Sequence, residues 1–339
     1  MRRHAPAVLS ALGMGVLALA ISWAGYGAAQ AQPSPGVWGE RANLLLRRSE
    51  ISIAEQNGRI YVIGGYPGER ITANEVQIYD SASDSWSLGP SLPLPMHHTM
   101  AAAVGGRVYV MGGEGGNPTG ATSLLLDFVH ALNEETGAWE RRAEMPTRRS
   151  GGGAAVLDGK IYVAGGRPPR GADFAVYDPA VNEWTTLPNV PTQRNHLGVE
   201  AIGGKIYVAG GRFGAGVGSE MTAIVEIYDP ATNSWSSGTP LLAPRAGVAS
   251  VVVNGCFYLI GGEGNDADPR GIFEENEMFD PSTNLWHRLA PLPLPVHGIT
   301  GLAAIDNVIY VPGGAIARGV SGPNVSLRLQ TYPTERVCG

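Results

Sequence analysis

Basic and imidazole side chains recur at one register of this chain. Counting 16 residues back from each of six Gly-Gly pairs (Gly64-Gly65, Gly112-Gly113, Gly165-Gly166, Gly210-Gly211, Gly261-Gly262, Gly313-Gly314) reaches Arg48, Met96, Arg149, Arg194, Arg245 and His297. Two residues further on stand Glu50, His98, Gly151, His196, Gly247 and Ile299, with His97 beside them. Arg167 and Arg212 directly follow two of the Gly-Gly pairs. Guanidinium groups bind carboxylates and phosphates through paired, charge-assisted hydrogen bonds, so arginines gathered at one mouth would form an anion site. Glu50, His98 and His196 are also the residue types of a two-His-one-carboxylate set for iron or zinc. Positions repeated around a ring are expected to lie too far apart to share one ion, so neither a metal nor another cofactor is expected. The acidic stretch Glu263–Glu277 lacks the spacing of a calcium loop. No nucleophilic-serine motif, phosphate loop or zinc cysteine cluster stands out.

The elements that must position these residues are repeats of about 50 residues. Tyr61, Tyr109, Tyr162, Tyr207, Tyr258 and Tyr310 each precede a Gly-Gly pair by three residues. A tryptophan lies 26 residues before the pair in five repeats (Trp38, Trp86, Trp139, Trp184, Trp235) and 27 before it in the sixth (Trp286). In one unit, Ser150–Leu157 is small and apolar, Asp158-Gly159 makes a tight turn, and Lys160–Ala164 ends in Gly165-Gly166. Phe174–Asp178 and a segment around Trp184 complete four antiparallel strands. The first turn recurs as Asn57-Gly58, Gly105-Gly106, Asp158-Gly159, Gly203-Gly204, Asn254-Gly255 and Asp306-Asn307, residue types that accept the positive φ of a two-residue hairpin. A radial fold follows, an all-β, six-bladed propeller. Blades are expected over residues 49–90, 97–143, 149–188, 195–239, 246–290 and 298–335. The segment 36–46 should supply the fourth strand of blade six, closing the ring and removing its free edges. The spacing from Gly-Gly to the next Trp runs 22, 27, 19, 25 and 25 residues, so length variation is concentrated in loops of one face. Variable loops on a rigid scaffold are where function is usually placed.

Outside the repeats, Met1-Arg2-Arg3 is basic, Ala7–Ala24 is apolar and Ala29-Gln30-Ala31 is a small-x-small site. This is expected to be a signal peptide, residues 1–31, cleaved before Gln32 and followed by a secreted or periplasmic propeller, 32–339. Loss of Arg2 and Arg3 takes the net charge from −6 to −8. That balance argues against a nucleic-acid partner, and no membrane association is expected after cleavage. The two cysteines, Cys256 and Cys338, are candidates for a disulfide in an exported protein.

Segments such as GKIYVAGG, then IYDPATNSW and a Pro-Arg turn, resemble kelch repeats across Trp38 to Tyr332. Repeat two departs, with Asn133 where other repeats have Asp80, Asp178, Asp229 and Asp280. The resemblance implies a protein- or glycan-binding module acting through its variable-loop face; the residue registers add an anionic ligand met by Arg48, Arg149, Arg194, Arg245, His297, His98, His196, Arg167 and Arg212. It also allows a structural use of the turn arginines, on loop carbonyls. The alternative is an enzyme similar to the periplasmic sialic acid mutarotases, kelch propellers that interconvert anomers of an acidic sugar. In that reading Arg149, Arg194 and Arg245 hold the carboxylate and Glu50 or Glu114 moves protons. A galactose-oxidase-like copper site is disfavoured, with Cys256 on a structural strand and Cys338 on the tail. So is the iron site of the nitrile-specifier proteins, whose Glu-x3-Asp-x3-His segment does not occur.

Overall fold

A computed structural model describes residues 1–2, 34–68, 71–115, 124–319 and 324–339. The expected signal peptide, after its first two residues, lies outside the described residues.

Six four-stranded antiparallel units follow one another along the chain, and the short strand Ile299–Thr300 adds in parallel to the inner edge of the first. Blade one is built from Ile51–Gln56, Arg59–Ile63, Val76–Asp80 and Ser85–Leu88, and blade four from Gly198–Ile202, Lys205–Ala209, Val225–Asp229 and Ser234–Ser237. Blade six takes Ala303–Ile305, Val308–Pro312 and Leu329–Pro333 from one end of the chain and Gly39–Arg41 from the other. Gly39 is paired with Thr331, Glu40 with Gln330 and Arg41 with Leu329. A further small sheet (Met96–His97, Glu114–Gly115, Leu124–Leu125) decorates blade two on the loop side.

The blades meet through the aromatic positions. All six repeat tyrosines are buried. Each repeat tryptophan donates its indole N–H to a carbonyl of the preceding blade: Trp38 to Ala290, Trp86 to Ala42, Trp139 to Pro90, Trp184 to Ala143, Trp235 to Pro188 and Trp286 to Thr239, at 2.7–2.9 Å. Each bond contributes about 0.5–1.5 kcal/mol on top of the apolar area the ring covers. The repeat-two departure is conservative, because Asn133 Oδ1 accepts from the amides of Glu135 and Thr136 as Asp178 accepts from Ala180. Cys256 and Cys338 are joined by a disulfide, and the Cys338 amide donates to the Asn254 carbonyl.

Blade six corrects the register. The amides of the second Gly in all six pairs follow one rule: each donates to the carbonyl of an inner-turn residue, namely Met96, Arg149, Arg194, Arg245, Val296 and Arg48 in turn. Val296, not His297, is therefore the sixth member of the arginine register, and Gly298, not Ile299, the sixth member of the other. The additional residue that moves Trp286 one place further from its Gly-Gly is taken up where the inner strand breaks at Gly301-Leu302, between Ile299–Thr300 and Ala303–Ile305. Gly301 has φ of +74°, a backbone state glycine enters without steric cost.

Candidate functional site

A closed belt of backbone hydrogen bonds runs around the axis. His98 N–H donates to Glu50, Gly151 to His98, His196 to Gly151, Gly247 to His196, Gly298 to Gly247, and Ile51 to Gly298, at 2.7–3.2 Å. The six residues Glu50, His98, Gly151, His196, Gly247 and Gly298 all have φ between +52° and +72°. Glycine fills three of these positions, as left-handed backbone predicts. The other three carry Glu50, His98 and His196, each held in a conformation that costs a residue with a Cβ about 1–2 kcal/mol.

The three exceptions converge. Glu50 Oε2 lies 3.0 Å from His98 Nε2 and 4.0 Å from His196 Nε2. One donor atom from each residue lies within 4.8 Å of the other two, and all three residues are buried. Repeat positions do therefore come close enough to act together, contrary to the expectation that a ring would hold them apart.

The residues directly after the Gly-Gly pairs form a second layer: Tyr66, Glu114, Arg167, Arg212, Glu263 and Ala315. Arg167 Nη2 is 2.8 Å from His98 Nε2, and its Nη1 is 3.3 Å from Glu114. Arg212 Nη2 is 3.1 Å from His196 Nε2, and its Nη1 bonds Glu263. Glu114 also accepts from Ser150 Oγ at 2.7 Å. His297 stands 3.9 Å from Glu263 and bonds the Ala317 carbonyl. His97 links Tyr66 (2.9 Å) to His98, with 2.5 Å between the two Nδ1 atoms.

Burial would by itself raise the Glu50 carboxyl, but His98, then His196 and His297, more than offset this and hold it well below the usual carboxylate range. Burial, then the Arg212 guanidinium and His98, hold His196 well below an ordinary imidazole. Burial and His98 push His97 down to about 2. A buried carboxylate among buried imidazoles has the makings of an ion or hydrogen-bond cradle.

The arginine register does not contribute to this cradle. Arg149, Arg194 and Arg245 are at most 1% exposed and Arg48 is 2% exposed. Arg194 donates to the carbonyls of Gly210, Thr192 and Val208 and to Glu226. Arg149 donates to the Asp173 and Val163 carbonyls, Arg245 pairs with Glu277 at 2.9 Å, and Arg48 bonds the Arg47 carbonyl and Glu75. These side chains tie the inner turn to their own blade. The expectation of an open arginine funnel is corrected accordingly: these guanidinium groups lie below the surface, turned onto carbonyls and carboxylates of their own blades, out of reach of a ligand. Arg167, Arg212, Glu50, Glu114, His98 and His196 are brought together, and His297 joins through Glu263. Asn195 and Tyr66 were not singled out from the sequence, and Glu263 was named only as the start of an acidic stretch. Reading every residue that follows a Gly-Gly pair, instead of the arginines alone, would have found two of them.

On the loop face, a cleft of about 510 Å³ lies between the loops of blades four, five and six. Val217, Met221, Pro244 and Phe273 supply apolar walls, and Asp266 and Arg318, paired at 3.0 Å, a charged rim.

The KLHDC2/KLHL20/DRC7 Kelch-repeats domain matches this chain over residues 41–190 and 129–314. Kelch-like protein terF of Aspergillus terreus is 30% identical over 325 residues, covering 88% of this chain and 68% of that protein. Human Kelch-like protein 23 is 30% identical across 77% of this chain, which spans 45% of that protein's length. Beta-scruin of Limulus polyphemus is 29% identical, and this chain spans 29% of it. The solved structure of YjhT superposes with a TM-score of 0.70 at 17% identity, over 85% of this chain and 95% of that one, a likeness of fold alone. Repeat register, six closed blades and these matches agree: the chain belongs to the kelch-repeat family, propellers of a protein-binding type.

Proposed function

We propose that this chain is an exported kelch propeller that holds a protein or glycan segment on its variable-loop face. The observation that carries the reading is the cleft between the loops of blades four, five and six, where apolar walls meet a charged rim. Such a mixture suits a short segment with one apolar anchor and polar neighbours. Export rests on the leader-like sequence at residues 1–31 and is supported by the Cys256–Cys338 disulfide, a bond that persists in oxidising compartments. The test is binding of the propeller to arrays of peptides and of neutral and acidic glycans, repeated with Phe273→Ala and Val217→Asp. Binding lost in both variants, with unchanged melting, supports the reading. A ligand indifferent to both substitutions overturns it.

A second reading keeps acidic-sugar chemistry. It now rests on Arg167, which is partly exposed, with Glu114 paired to it and Glu50 on the adjoining His98, because Arg149, Arg194 and Arg245 are turned into their own blades. Mutarotation of an acidic sugar, lost in Arg167→Gln, is its test.

A further inference from the structure

We infer that Glu50, His98 and His196 form a binding site for one divalent first-row transition-metal ion on the propeller axis. Three independent features point there.

The first is conformational. The belt needs left-handed backbone at six places, and glycine serves at three of them. Glu50, His98 and His196 occupy the other three against that preference, and it is their side chains, from blades one, two and four, that converge. Strain kept at three positions whose side chains meet is the pattern of a site whose surroundings over-determine it.

The second is the arrangement of lone pairs. Asn195 directs its Nδ2 at the carbonyls of Arg212 and Gly214, which leaves Oδ1 facing His196 Nδ1 at 2.6 Å. His196 must donate from Nδ1, so in the neutral ring Nε2 is bare and faces Glu50. The contact with His97 offers His98 the same state: a proton placed on His98 Nδ1, between the two Nδ1 atoms, leaves Nε2 bare and makes Nε2 of His97 the donor to Tyr66. A second residue that fixes the tautomer of a ligating imidazole is what metal-bound histidines have.

The third is an unresolved contact. His98 Nε2 lies 2.8 Å from Arg167 Nη2, which can only donate, and 3.0 Å from Glu50 Oε2, which can only accept when ionised. One nitrogen cannot suit both. A cation among Nε2 of His98, Nε2 of His196 and Oε2 of Glu50 resolves the conflict, since all three then face positive charge. Arg167 and Arg212 would retreat onto Glu114 and Glu263, to which each already bonds through its other nitrogen. The present separations of 3.0 and 4.0 Å to Glu50 need little contraction, since ligand atoms around an ion with bonds of about 2.1 Å stand about 3.0–3.4 Å apart. Two imidazoles and one carboxylate suit zinc or iron(II) and leave coordination positions open.

The test is uptake of Zn2+ by calorimetry and of Co2+ by its visible absorption, on untagged protein stripped with chelator. The expected result is one equivalent bound, weakened at least tenfold in Glu50→Gln, His98→Gly and His196→Gly. The glycine variants are chosen because they suit the left-handed backbone, so their melting temperatures should hold while the ligand is removed. Absence of stoichiometric uptake overturns the proposal, as does uptake that all three variants retain.

Discussion

The amide of His98 donates to the carbonyl of Glu50 at 3.0 Å, though the two residues stand 48 positions apart and in different blades. This is one link of the six-membered belt, and it makes backbone conformation at those residues a property of the whole ring. Gly247→Ala tests this. A Cβ there meets nothing closer than 3.5 Å, so the penalty is conformational. Denaturant unfolding should show a loss of about 1–2 kcal/mol. A neutral result would mean that the belt tolerates right-handed backbone at that link.

Arg245 and Glu277 are both wholly buried and pair at 2.9 Å. Arg245→Met leaves a carboxylate without its counter-ion and is expected to cost about 3–5 kcal/mol in the same measurement. Arg245→Met together with Glu277→Leu should recover most of that loss. A single variant as stable as wild type would return Arg245 to the list of ligand-binding candidates.

The disulfide closes a loop between Cys256 and Cys338, 82 residues apart. Constraint of the unfolded chain over that span contributes about 4–5 kcal/mol. Cys338→Ser should lower the unfolding midpoint markedly, and reductant should have no further effect on the variant. Equal midpoints for wild type with and without reductant would show that the tail is held by its other contacts, such as Tyr258 with Thr334.

Glu200, on the inner strand of blade four, accepts from Ser250 Oγ at 2.8 Å, and burial pushes its carboxyl up to about 8. The folded state therefore holds a proton that the unfolded chain releases near the ordinary carboxylate range. Protons bound in excess by the folded state make stability fall as pH rises. Stability should decline between about pH 4.5 and 8, by up to a few kcal/mol, and Glu200→Gln should flatten that decline. Identical slopes in the two proteins would place the Glu200 titration in the usual range.

How much of this was legible beforehand follows from what repetition encodes. The Tyr, Trp and Gly-Gly registers announced six blades, and the unpaired Trp38 announced closure by the N-terminal segment, because such large side chains have one place to go in each unit. Direction of side chains was harder to read. Arg149 and Arg194 share a register with Met96 and Val296, an exchange that fits a buried position better than a ligand site, yet a guanidinium on carbonyls and one on a ligand look alike in a string of letters. The convergence of Glu50, His98 and His196 depends on ring diameter and on positive φ, neither of which sequence spacing reports. The blade-six slip was visible as the longer Trp286 spacing, but where the extra residue sits was settled by hydrogen bonding at Gly301.

Each of the six repeat indoles is fastened to the blade before it, so every seam of the ring carries its own N–H proton as a reporter. Solvent exchange of those protons would tell which seam parts first when the propeller loosens. The Trp38 proton holds a special place among them, because it crosses from a strand supplied by one end of the chain to a blade near the other. Its lifetime reports how firmly the strand that shuts the circle, Gly39–Arg41 on Leu329–Pro333, is also anchored to the neighbouring blade.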